Sequence, residues 1–101
     1  ELRVGDLVLN VPRHEVFVGG RKLDLTPKEF DLLKLLMTNK GRVLTRELLL
    51  ETIWGYEYYG DTRTVDVHIR RLRQKIGDDP ANPKYIVTVH GVGYKMDAVN
   101  L

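Results

Sequence analysis

Five cations, Arg63, Arg70, Arg71, Arg73 and Lys75, lie between residues 62 and 77, with Asp66 the one carboxylate among them. Guanidinium groups at this density can do two things: neutralise phosphates as charges, and donate paired hydrogen bonds to the edge of a base. The whole chain carries a net charge of only +2. The segment alone therefore holds more positive charge than the rest can balance, and clustering of this kind marks a polyanion partner better than a total does. Arg71 and His68 are placed for base edges, and Arg is the commonest bidentate partner of guanine. Thr64 is counted with them. Val67 exposes an apolar surface suited to a thymine methyl. Arg63, Arg70, Arg73 and Lys75 lie toward the flanks, where they would position on phosphates without specifying sequence. Arg46, at the start of another helix, adds charge to backbone amides already suited to an anion.

What positions these groups is a helix. Val65, Ile69, Leu72 and Ile76 recur at i, i+4, i+7 and i+11, one apolar stripe. Asp61 or Thr62 can cap its start, and Gly77 follows its last stripe residue as a stop. One side is built for burial and the other presents cations around Val67. The plainer readings are a solvated basic face, and a surface pair of Asp66 with Arg70 four residues on.

Upstream, Leu2 to Leu25 reads as short strands broken by turns, with Gly19-Gly20 a tight hairpin, giving a small antiparallel sheet with one wet face. Thr26-Pro27-Lys28-Glu29 is a helix start with a capping box. Phe30, Leu33, Leu36 and Met37 continue it as the core helix, ended by Asn39-Lys40-Gly41. Val43-Leu44 is an extended link. Thr45 caps a second helix from Arg46 to Trp54, with Leu48, Leu49 and Ile53 facing inward and Trp54 read first as core, its indole N–H within reach of a phosphate at the rim. Loop 55–61 holds three of the five tyrosines. Asp78 to Pro83 is a turn-rich break, and Tyr85–Val89 with Tyr94–Met96 flank His90-Gly91-Val92-Gly93 as a terminal hairpin. The order is α+β: a helix pair followed by a β-wing, in which the second helix props the third against a major groove and the wing reaches an adjacent groove or backbone.

Other function classes are poorly supported. The single domain of 101 residues contains no cysteine, so neither a disulfide framework nor a thiolate metal site is possible. That fits a reducing cytoplasm. His14, His68 and His90 have no ligand spacing, so no metal or other cofactor is expected. No nucleophile lies near a base, and Gly91-x-Gly93 sits between strands rather than before a helix, so no enzyme is expected. No apolar run approaches the ~18 residues of a membrane span. The chain starts at Glu1, already in a strand-like segment, and is expected to be a piece of something longer. A winged-helix module using its basic face on an acidic protein is the alternative, since fold does not fix function.

Four linked motifs carry a resemblance. Leu25-Thr26-x-x-Glu29-Phe30-x-Leu32-Leu33, Val43-Leu44-Thr45-Arg46-Glu47-Leu48-Leu49 with Trp54-Gly55, Arg63 to Ile76, and Ile86-x-Thr88-x-x-Gly91-x-Gly93-Tyr94 together resemble the C-terminal effector domain of OmpR/PhoB-type response regulators. The resemblance covers nearly the whole chain. It implies a winged helix-turn-helix with a four-stranded N-terminal antiparallel sheet, three helices and a C-terminal hairpin wing. It implies a two-component transcription factor whose N-terminal receiver domain is absent from residues 1–101, binding direct-repeat promoter sites as a head-to-tail dimer once the receiver is phosphorylated. Carried over by position, Arg63, Val67, His68, Arg71 and Arg73 lie at the recognition surface, and Arg46 and Trp54 touch backbone. Thr88, His90 and Gly91 belong to the wing, and Tyr56, Glu57, Tyr58 and Tyr59 to the loop that meets RNA polymerase. Some members carry an Arg in the minor groove where this chain has His90, and a neutral His90 weakens that contact.

Overall fold

In the computed structural model, which describes residues 1–55 and 60–97, the alternating N-terminal residues form the sheet their pattern calls for. Strands β1 (Leu2–Val4), β2 (Leu7–Asn10), β3 (Glu15–Val18) and β4 (Arg21–Leu23) pair antiparallel in that order. Leu7 pairs with Val18 and Leu9 with Val16, so Val4, Leu7, Leu9, Val16 and Leu23 share the buried face. Gly19 and Gly20 both have positive φ, 56° and 81°, as a tight two-residue hairpin requires.

Helix α1 (Pro27–Thr38) starts on the expected capping box. The Thr26 hydroxyl accepts from the Glu29 N–H at 3.2 Å, and the Glu29 carboxylate accepts from the Thr26 N–H at 2.9 Å. Phe30, Leu32, Leu33, Leu36 and Met37 are buried along it, which makes α1 the helix that the sheet and the other helices pack around. Helix α2 (Arg46–Trp54) is capped by Thr45 and buries Leu49, with Leu50 and Ile53 partly covered. Leu48 was expected inward and is instead 45% exposed. Residues i and i+4, here Leu49 and Ile53, face the core, and the preceding position turns out of it.

Helix α3 (Arg63–Ile76) buries Val65, Ile69, Leu72 and Ile76 as its stripe predicts. Of the two candidate caps, Asp61 makes the bond: its carboxylate accepts from the Arg63 N–H at 2.8 Å, whereas Thr62 makes no side-chain cap. Gly77 ends the helix in the left-handed region, φ 84°, and donates to the Arg73 carbonyl. The turn-rich break beyond it has an organiser that the sequence did not disclose. Buried Asp78 accepts from the backbone N–H groups of Lys84, Tyr85 and Ile86, folding the segment back so that β6 (Ile86–Val89) begins beside α3.

The Val43-Leu44 link is more than a connection. Residues Leu44–Thr45 form β5, which pairs with β7 (Gly93–Met96), and β7 pairs with β6, giving a three-stranded sheet in the order β5-β7-β6. Gly93 has an ordinary φ, and its need is for space: a Cβ there would lie 2.0 Å from the Leu44 carbonyl oxygen. The wing is thus stitched to the start of α2 as well as to α3.

Candidate nucleic-acid interface

At roughly 100° per residue, three sectors of α3 follow from its buried stripe. Opposite the stripe lie Arg63, Val67, Arg70, Arg71 and Gln74, all exposed, with Val67 44% exposed. Among the described residues Arg70 and Arg71 have no hydrogen-bond or ion-pair partner. Arg63 is held loosely by Asp61 at 3.0 Å, both side chains open to solvent. Between stripe and open face are two shoulders, each roughly 70–90° from the stripe's centre. One carries Asp66 and Arg73 toward the wing. The other carries His68 and Lys75 toward α2 and α1. The shoulders are where the sequence reading needs correction.

Arg73, expected on an exposed flank, is 8% exposed. Its Nη2 donates to the Ile86 carbonyl at 2.8 Å and to the Thr88 hydroxyl at 2.7 Å, and its guanidinium lies 5.7 Å from the centre of the Tyr94 ring. The guanidinium is committed to the wing rather than offered to a phosphate. Thr88, half-buried, is likewise an internal partner. Lys75 also turns inward: its ammonium donates to Glu29 at 2.6 Å and to the Asp24 carbonyl at 3.0 Å, tying the end of α3 to the start of α1. Burial opposes ionisation of Glu29, but the Lys75 ammonium and the donors at Thr26 outweigh it and hold the carboxyl below its usual 4.5.

Asp66 does not serve Arg70. It faces Arg46, accepting from Nε at 3.1 Å on one oxygen and from Nη2 on the other, and accepts the Tyr94 hydroxyl at 2.6 Å. Hydrogen bonding to Asp66 raises the Arg46 pKa, so its charge is fixed. Burial first, and then the bond and charge of Asp66, push the Tyr94 hydroxyl up to about 12, so it stays a neutral donor. Arg46 is about one-third exposed and remains at the surface. Its N–H also meets the Val92 carbonyl at 3.4 Å, which seats the wing turn on the start of α2.

His68 is half-buried. Its Nδ1 lies 2.8 Å from the Thr64 carbonyl, an acceptor, so that nitrogen carries the proton and Nε2 is left for a partner. The ring meets Trp54 edge-on, centroids 4.8 Å apart. Trp54 is half-buried against the core, with Lys28 Nζ 5.8 Å from its ring centre and bonded to the Ile53 carbonyl. His90 and Gly91 are exposed at the wing turn, Gly91 with φ 77°. A polar cleft of about 190 Å³ runs between wing and α3, lined by Arg46, Asp66, Thr88, His90, Gly91 and Tyr94 among others. Tyr56, Glu57, Tyr58 and Tyr59 lie outside the described residues.

Sequence reasoning gave Asp66 to Arg70 rather than to Arg46 and Tyr94, and gave Tyr94 and Asp78 no bonding role. Asp66 did leave a signal, as a lone carboxylate among five cations and one step off the stripe. Asp78 and Tyr94 left none, since their partners are fixed by folding.

A helix pair, a basic open face and a wing sewn to both helices define a winged helix-turn-helix domain. The chain belongs to the family described as transcriptional regulatory protein, C terminal, which matches residues 20–96, and is the C-terminal effector domain of an OmpR/PhoB-type response regulator. The sensory transduction protein RegX3 of Mycolicibacterium smegmatis is 54% identical over 96 residues, 95% of this chain and 42% of that protein. RegX3 of Mycobacterium leprae is 55% identical over 97 residues, 96% and 49% respectively. The chain thus spans under half the length of these curated relatives. Among solved structures it is similar to the Klebsiella pneumoniae RstA DNA-binding domain in complex with RstA box, with TM-score 0.87 and 35% identity over 95% of each chain. It is also similar to the response regulator DrrB of Thermotoga maritima, an OmpR/PhoB homolog, with TM-score 0.85 and 45% identity over 93% of this chain and 42% of that one.

Proposed function

We propose that this domain binds double-stranded DNA in a sequence-dependent way, as the output domain of a two-component response regulator that controls transcription in the cytoplasm. One observation carries the reading: Arg70 and Arg71 stand free beside exposed Val67, on a helix whose opposite stripe is fully buried. Free guanidiniums around an apolar residue match phosphates and base edges. The likeness to a domain solved with its DNA box supports it. In this reading α3 enters the major groove. Thr64, Val67, His68 and Arg71 read bases, with Nε2 of His68 turned to a base edge because Nδ1 is taken by the Thr64 carbonyl. Arg63 and Arg70, with Arg46 and Trp54 at the rim, position on phosphates. Arg73 and Lys75 leave the phosphate set, and His90 and Gly91 bring the wing to the neighbouring minor groove.

The further features of the parent protein follow the family: head-to-tail dimers on direct repeats, gated by a phosphorylated receiver, with RNA polymerase met through loop 55–61. The family is one of transcriptional regulators rather than an enzyme class.

Selection of bound duplexes from a random-sequence pool tests the reading. A motif should enrich, and its affinity should fall log-linearly with salt, with a slope of about −3 for three or four phosphates neutralised. An unenriched pool with a shallow slope would refute it and point to an acidic protein partner.

A further inference from the structure

One carboxylate on the wing-facing shoulder of α3 is bonded to two other elements at once. Asp66 accepts from Arg46, which opens α2, and from the Tyr94 hydroxyl, in β7 of the wing. Recognition helix, supporting helix and wing therefore meet at a single anionic group. On the same shoulder Arg73 holds β6 and covers the ring of Tyr94, so the wing is tied to α3 at two heights. Packing alone does not call for an anion here. The buried stripe already fixes α3 on the core, and Asp66 is about one-third exposed at the rim of the cleft. By charge, Asp66 opposes a polyanion, because it neutralises Arg46 and lowers the local positive potential.

We infer that Asp66 is a specificity-determining positioning residue: it fixes the angle between wing and recognition helix, and it withholds Arg46 from indiscriminate phosphate contact. Two reading elements held rigidly engage together only where both grooves match, whereas loosely linked ones adapt to many sequences. A charge already paired gives less to non-specific binding, which is almost wholly electrostatic. The inference rests on the proposed DNA binding and adds the residue that makes that binding selective rather than merely tight.

The test uses the 101-residue chain, a duplex it selects from a random pool, and a scrambled duplex of equal length. Asp66→Asn keeps the shape and removes the charge. Affinity for the selected duplex should fall about tenfold, while affinity for the scrambled one holds or rises about two- to threefold, its salt slope steeper by about one as Arg46 is released. Tyr94→Phe removes only a hydroxyl and leaves Arg46 paired; it should weaken the selected duplex more than the scrambled one, and should add nothing in the Asp66→Asn background. Thermal melts establish that each variant is folded, and either variant alone decides if the other is not. Equal losses on both duplexes, gains on both, or additive losses in the double variant would overturn the inference. A wild-type chain that fails to discriminate the two duplexes would instead overturn the DNA-binding reading, and this inference with it.

Discussion

Arg73 separates two accounts of the recognition helix, because a phosphate contact and an internal brace respond to its removal in opposite ways. Arg73→Met keeps the aliphatic stem and deletes the guanidinium. The structure then loses two charge-assisted hydrogen bonds, of 2.8 Å to the Ile86 carbonyl and 2.7 Å to the Thr88 hydroxyl. Ile86 is fully buried, so its carbonyl is left without that donor, at a cost of about 1–3 kcal/mol. Against this stands the removal of a cation that is 8% exposed and that donates to two neutral oxygens, the Ile86 carbonyl and the Thr88 hydroxyl. The net expectation is a loss of about 2 kcal/mol, a measurable part of the ~5–15 kcal/mol that holds a domain of this size. Urea unfolding at pH 7 reads the stability, and DNA titrations over a range of salt read the charge. The brace predicts lower stability with an unchanged salt slope. A phosphate contact predicts unchanged stability and a slope shallower by about 0.9. Full stability combined with that shallower slope would refute the reasoning.

The open face of α3 divides further. Arg71→Ala should cost about 1–3 kcal/mol on the selected site and relax preference at one base pair, while Arg70→Ala should weaken all sequences alike, as parallel binding to a mutated-site panel would show. Glu29 has a depressed pKa, so the stability it contributes is present above the usual carboxylate value of 4.5 and is lost as pH falls through its lower folded value. Glu29→Gln should therefore flatten the acid limb of stability against pH. At pH 7 it should cost about 1–2 kcal/mol, less than a fully buried pair because Lys75 is 37% exposed, as urea titrations across pH would show. Gly93→Ala puts a methyl 2.0 Å from the Leu44 carbonyl oxygen and should part β5 from β7, lowering the melting temperature by well over the few degrees of an ordinary surface change.

The sequence by itself determined the helices, the N-terminal strands and the terminal hairpin, and, Leu48 apart, the buried side of each helix, whereas β5 formed only through its pairing with β7. Periodicity is local physics: a stripe at i, i+4, i+7 and i+11 has one way to be buried, and Thr26 with Glu29 caps a helix wherever it packs. It also carried the family, through four motifs spread over the chain. The tertiary structure alone decided what the shoulders of α3 face. Arg73 and Arg70 are the same residue on the same helix, yet one lies beneath a wing and the other in solvent, because β6 and β7 return onto one shoulder only. For the same reason Asp66 serves Arg46, twenty residues away, instead of Arg70, four residues on. Asp78 collects three amides that no spacing rule links. Side chains near the edge of a buried stripe take their role from whichever element folds over them, and that choice is made by the whole chain.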